Sequence, residues 1–309
     1  MKSRIAIIGA TSHIAKGLIN SFLNSTDDFI YLFARNISGV NNFLESNKFK
    51  SDKYRVLSFD RFRDNLYDVV INCVGIADPG KQKEAGSSIF FLTETFDNMI
   101  LDYLKDHIET LYINFSSGAV YGTDFDKPVD SKSSAKIMVN DITDKDYYRI
   151  TKLYSEAKHR SLKEYNIVDL RIFSYFSRFI DLESSFFMTD IVKSLLNKTE
   201  IVTTEVDTVR DYIGTEDLFR LVRLVADKPF NGVWDCYSAA PVRKFEILDD
   251  FYVRFGLRFQ INKSAAVLQS TGSKNIYFSL NRKAEEFGYR PQKNSLECLI
   301  GETKLILGL

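Results

Sequence analysis

The stretch Arg4–Ala15, RIAIIGATSHIA, decides the fold. Its first half is an unbroken apolar run with no face left for water, the pattern of a strand buried on both sides. Gly9 closes the run, and from Ile14 to Leu23 the apolar residues recur at helical spacing. Small residues stand at every third place, Gly9, Ser12 and Ala15. They let the backbone bend tightly, approach a pyrophosphate and pack the helix on the sheet. The helix N-terminus then offers N–H groups to an anion. Gly9, Thr11, Ser12, His13 and Ile14 are therefore candidates for a dinucleotide cradle, with Ser12 as helix cap or phosphate donor. The imidazole of His13 reads as a partly exposed loop group without a chemical part.

The same alternation continues toward residue 180. Phe29–Ala34 (FIYLFA), Tyr54–Phe59 (YRVLSF), Asp68–Val74 (DVVINCV), Leu111–Phe115 (LYINF) and Ile167–Phe173 (IVDLRIF) read as strands. Ser88–Leu104 and Asp146–Tyr165 read as long helices. Such strands between helices predict a doubly wound parallel α/β sheet of Rossmann type, covered on both faces. Later elements are shorter, with helical patterns at Ser184–Thr199 and Lys244–Phe255. The expected organisation is a dinucleotide-binding domain over 1–180 and a smaller mixed α/β substrate region over 181–309. That region is expected to fold over the strand ends and to lend part of 201–240 to the sheet.

Composition narrows the partners. Lys+Arg and Asp+Glu both number 41 in 309 residues, a zero balance that argues against nucleic acid as the main partner. No run of 18 apolar residues is present, so no membrane span is expected. The passage from MKSR straight into a strand is expected to exclude a signal peptide. Cys73, Cys236 and Cys298 are odd in number and widely spaced, which suits a reducing cytoplasm better than a disulfide framework. Nothing has the spacing of a metal site.

Two segments carry chemistry. Ser116–Gly122 (SSGAVYG) follows the fifth strand, and Tyr148-Arg-Ile-Thr-Lys152 opens a helix. Residues four apart share a helical face, so Tyr148 and Lys152 should stand side by side. A free phenol ionises near pH ~10. The lysine ammonium and a nicotinamide cation are expected to lower that value, so that Tyr148 can pass a proton as hydride moves. A serine hydroxyl from the neighbouring strand end would bond the same substrate oxygen. Arg35, after the second strand, suits a 2′-phosphate, and Asp60, after the third, could accept from adenine. Cys73, Val74 and Gly75 at the fourth strand's end and Phe173 at the sixth complete the cofactor candidates. The polar loop Thr123–Lys145, with Asp124, Asp126, Asp130 and Lys132, reads as a substrate lid or a solvated loop.

These motifs together resemble the extended short-chain dehydrogenase/reductase family, in its branch of nucleotide-sugar epimerases, dehydratases and ketoreductases. SSGAVYG is similar to the family's serine segment, and YYRITKLYSE to its Tyr/Lys helix. DLRIFSYFSR resembles the strand that passes the nicotinamide, VRDYIGTEDL a substrate-nucleotide motif, and FSLNRKAEEFGYRP the tail before the last helix. The resemblance implies Ser117, Tyr148 and Lys152 as catalytic residues and Arg210, Ser116 and Ser174 as substrate contacts. It implies NADP(H), on the strength of Arg35, with NAD(H) as the alternative. It implies a nucleotide-sugar substrate and a homodimer formed through the two long helices, whose Phe90, Phe91, Phe96 and Tyr154 read equally as core. The expected reaction is reduction of a 4-keto-deoxysugar. Alternatives are NAD-dependent 4-epimerisation and a non-catalytic NADP-sensing regulator. Gly118 and Ala119 stand where the family's 4,6-dehydratases carry an Asp-Glu pair, which argues against a dehydratase.

Overall fold

Side chains Ile5 to Ile8 are all buried, so β1 (Arg4–Ile8) takes the middle of the sheet. The computed structural model describes residues 2–123, 125–262 and 275–309. Around β1 lie β2 (Phe29–Phe33), β3 (Tyr54–Leu57), β4 (Val69–Asn72), β5 (Leu111–Ser117) and β6 (Ile167–Ile172). With Gly232–Asp235 they form one seven-stranded sheet in the order Gly232–Asp235, β6, β5, β4, β1, β2, β3. Every neighbouring pair in it is parallel. The connections run outward in both directions from the β1/β4 boundary, and at such a switch point the strand ends open a crevice.

Nine helices lie among the described residues: α1 (His13–Ser25), α2 (Ile37–Ser46), α3 (Pro79–Ala85), α4 (Ser88–Asp106), α5 (Asp144–Ser161), α6 (Phe187–Asn197), α7 (Thr215–Asp227), α8 (Lys244–Phe255) and α9 (Ser295–Leu307). One face of the sheet buries Leu18 and Phe22 of α1 with Leu218, Leu221 and Val225 of α7, together with Trp234. The other face buries Ile100, Tyr103 and Leu104 of α4 against Phe33 and Tyr112. Each such side chain contributes about 1.5–3 kcal/mol by leaving water.

The second half of the chain is thus split between layers. Gly232–Asp235 and α7 belong to the large sheet and its cover, whereas α6, α8 and α9 enclose a separate core with Phe176, Ile191 and Phe251. Short strands then lead back to the crevice: Val209–Arg210 lies between Val242–Arg243 and Ile276–Tyr277, and Tyr212–Ile213 pairs with Ser174–Tyr175. Of the aromatic residues on the two long helices, Phe91 and Tyr154 are exposed, whereas Phe90 packs on Tyr147 and Phe96 on Phe59. Among the described residues no helix is long and apolar enough to cross a membrane, and no group of three or more His, Cys, Asp or Glu could hold a metal ion.

Candidate active site

β5 ends at Ser117, where the chain tightens into a 3-10 turn over Gly118–Tyr121 and the serine Oγ accepts from the Ala119 N–H at 3.2 Å. A side chain on Gly118 would meet the Phe173 ring at 2.5 Å, so the turn needs glycine there. α5 starts under a capping box in which the Thr143 N–H donates to Asp146 at 2.9 Å. Arg149 ties this first turn to the preceding loop, donating to the Lys136 carbonyl at 2.8 Å and to Asp146 at 2.7 Å. That loop leaves Met138 and Val139 exposed, while Phe125 is buried; Asp124 lies outside the described residues. One helical turn further, Tyr148 and Lys152 share the face that looks toward β5.

Ser117, Tyr148 and Lys152 meet. The Ser117 hydroxyl stands near enough to the Tyr148 phenol to pull its pKa down, against burial. The Lys152 ammonium is buried, donates to the Phe115 carbonyl at 2.7 Å and stands 6.0 Å from the Tyr148 ring centre. Burial, and not the lysine, sets the direction of the phenol's shift. Burial raises the Tyr148 pKa, with the Ser117 hydroxyl opposing it, and burial lowers that of Lys152 against the pull of Asp169, Asp97 and Glu156. The amine spends its short bond on a carbonyl, not on the phenol.

A fourth group went unread in the sequence. Tyr277 brings its hydroxyl 3.4 Å from the Ser117 Oγ, and its ring packs on Phe173 and Phe125. Its one available signal was its place immediately before the motif FSLNRKAEEFGYRP. The Arg210 guanidinium lies 5.7 Å from the same ring, buried, and donates to the Val209 carbonyl at 3.0 Å. The carboxylates nearest to Arg210 in sequence have partners of their own. Asp211 accepts from the Ser238 N–H at 2.9 Å, and Glu216 pairs with Lys293 at 2.9 Å. Ser174 lies half-buried on its short strand.

Ser116 is engaged away from this group. Its hydroxyl is buried and donates to Glu156 at 2.5 Å, on the opposite side of β5 from Ser117. It belongs to an ionic seam under α5. Arg171 bridges Glu156 and Tyr121, and Tyr121 donates to Asp235 at 2.9 Å. Deeper in, His159 is fully buried between Asp97 at 2.8 Å and Asp169 at 2.9 Å. Burial would lower the His159 pKa, but the two carboxylates outweigh it and raise it to about 9.

Of the cofactor candidates, the turn after β1 and the end of β4 meet at the β1/β4 switch point. Gly9 has φ +81°, and a Cβ there would stand 3.0–3.1 Å from Val74 and Cys73, so the turn after β1 demands glycine. Ser12 caps α1 by accepting from the Ala15 N–H at 3.3 Å, which leaves the N–H groups of His13 and Ile14 without a carbonyl inside the helix. The imidazole of His13, read as a loop group, is instead bonded to Ser177 at 2.8 Å and held neutral by burial, with a pKa near 3. Cys73 is buried with its thiol pushed up by burial. A Cβ on Gly75 would stand 3.5 Å from the Lys152 Nζ, so the end of β4 reaches the Tyr/Lys pair. Arg35 and Asp60 are exposed, just beyond the ends of β2 and β3. A glycine cradle, a capped helix N-terminus and an exposed cation at the end of β2 fit a dinucleotide.

A family model described as "NAD dependent epimerase/dehydratase family" matches residues 5–236. The chain belongs to this epimerase/dehydratase family. The chain is similar in structure to the UDP-glucose 4-epimerase of Thermotoga maritima, with TM-score 0.80, 13% identity and 99% of each chain covered. It is also similar to the UDP-N-acetylglucosamine 4-epimerase of Methanobrevibacter ruminantium M1, with TM-score 0.80 and 16% identity over 100% of this chain and 99% of that one. A third likeness is the dTDP-glucose 4,6-dehydratase of Bacillus anthracis, with TM-score 0.78 and 13% identity over 99% of this chain and 97% of that one. No curated protein sequence matches the chain.

Proposed function

We propose that this epimerase/dehydratase-family chain is an NAD(P)-dependent oxidoreductase that works at the C4 position of a nucleotide-linked sugar. The observation that carries the reading is the meeting of Ser117, Tyr148 and Lys152 beside the dinucleotide crevice. In this reading residues 1–180 hold the dinucleotide and residues 181–309 most of the substrate. Gly9, Ser12 and the α1 N-terminus would hold the pyrophosphate, and Gly75 and Phe173 would flank the nicotinamide, whose ring supplies a hydride-transfer centre. Tyr148, its proton retained by burial, donates that proton to a keto oxygen or, in the reverse sense, takes one from a hydroxyl. Ser117 bonds the same oxygen and orients it. Arg210 and Tyr277 form the substrate wall, with the guanidinium set to meet a diphosphate.

Gly118 supports the exclusion of a 4,6-elimination. An acid there has no room beside Phe173, and Ala119 has no proton to exchange. Arg35 favours NADPH and therefore ketoreduction, in a cytoplasmic setting where the cofactor is exchanged. The second reading, 4-epimerisation with a retained cofactor, is favoured by the closure of the crevice described below. Mass spectrometry of the dinucleotide carried by the purified protein, followed by assay on a panel of nucleotide-linked 4-keto and 4-hydroxy sugars, tests both. Bound NAD with inversion at C4 selects the epimerase. Net consumption of NADPH selects the reductase, and turnover of neither substrate class removes the proposal.

A further inference from the structure

The crevice at the β1/β4 boundary is crossed by the segment 177–185. At one bank Ser177 bonds His13 at the mouth of α1, 2.8 Å away, and Phe179 packs its ring edge-on against Phe43 of α2 at 5.3 Å. At the other bank Lys81 of α3 pairs with Asp181 at 3.0 Å, and the buried Asp78 carboxylate accepts from the Ser185 N–H at 2.6 Å. Asp78 also caps α3, accepting from the Lys81 N–H at 2.9 Å. The segment is internally braced, with the Ile180 N–H on the Ser177 carbonyl and the Ser184 N–H on the Asp181 carbonyl. α1 follows β1 and α3 follows β4, so the two banks are the two sides of the switch point itself.

We infer that residues 177–185 form a strap across the dinucleotide crevice, fastened at the α3 bank by Asp78–Ser185 and Lys81–Asp181, and that release of the dinucleotide requires this fastening to part. The inference rests on the dinucleotide reading given above. The two fasteners differ in kind. Lys81–Asp181 is exposed on both sides, so it is a weak, salt-screened clasp. Asp78 is a buried carboxylate holding two N–H groups, and its loss leaves both without a partner.

The test is the dissociation rate of NADH and of NADPH from the full-length protein, followed by fluorescence as each is chased with excess oxidised dinucleotide. Charge reversal in K81D or D181K is expected to speed release by up to about fivefold, the reach of an exposed ion pair. The double swap K81D/D181K is expected to restore the slow rate, which loss of folding in one variant could not mimic. D78A is expected to speed release by about tenfold or more, and raised salt is expected to speed release from the unaltered protein. K105D, which breaks the remote Lys105–Asp102 pair, should leave the rate alone. Normal binding with unchanged release in K81D, D181K and D78A would overturn the strap and leave the dinucleotide reading standing. Failure of the unaltered protein to bind either dinucleotide would overturn both.

Discussion

The two halves of α5 use charge in opposite ways. At its crevice end, Lys152 gives its short bond to a neutral carbonyl, and burial drives both its amine and the Tyr148 phenol toward their uncharged forms. One and two turns further on, the same helix face is dense with ions. Glu156 holds Arg171 at 2.5 Å, His159 lies between Asp97 and Asp169, and Lys158 and Arg160 add a cation to each aspartate. Burying a charge is costly unless it is paired and hydrogen-bonded. Every charge of the seam is paired, though Arg160 keeps two buried N–H groups without a partner, and this dense pairing marks the seam as structural. The crevice end leaves that requirement only partly met, so protonation there stays responsive to a bound substrate or cofactor.

Breaking the seam should have the largest effect, and it should fall on stability. His159→Gln removes the cation between two buried carboxylates and is expected to destabilise the fold by about 3–5 kcal/mol. Chemical denaturation would measure it, with the rate per folded molecule changed less than about tenfold. Breaking the crevice end should do the reverse. Ser117→Ala is expected to lower kcat by about 10²–10³-fold, the scale of one lost oxyanion donor, while stability falls only by the ~1 kcal/mol of the lost turn cap.

The pH dependence of stability sharpens the contrast. His159 has its folded pKa raised to about 9 from an ordinary value near 6.5. Its stabilisation is therefore fully present below about pH 6.5 and is lost as pH rises through 9. The loss should reach about 3 kcal/mol and should vanish in the His159→Gln protein. The smallest effect concerns Arg35. Its replacement by Ala is expected to weaken NADPH binding about tenfold with NADH binding unaltered, measured by fluorescence titration.

Local spacing made much of this molecule readable. β1, the turn at Gly9 and α1 follow from twelve consecutive residues, and Tyr148 and Lys152 meet because they are four apart. Tyr277 reaches Ser117 across 160 residues, and no local pattern can announce such a meeting. The seam was equally hidden. Asp97, Lys158 and His159 sit in helical stretches where charges usually mark a solvated face, and only the docking of α4 on α5 buries them. The burial that raises the Tyr148 pKa is hidden for the same reason. Adjacency to a lysine is legible in a sequence, whereas burial, which outweighs it here, is a property of the assembled fold. α7 and Gly232–Asp235 passed without sharp boundaries because their roles depend on which sheet edge they reach.

In the proposed reaction the Tyr148 phenol moves a proton while a hydride moves at a sugar carbon. It is tested most directly by incubating the protein with NADPH deuterated at the transferred position and a panel of nucleotide-linked 4-keto sugars, then locating the label by mass spectrometry. Deuterium is expected on the sugar with the unaltered protein, at a rate about 10²–10⁴-fold lower with Tyr148→Phe. Transfer by the Phe variant at the unaltered rate would contradict it.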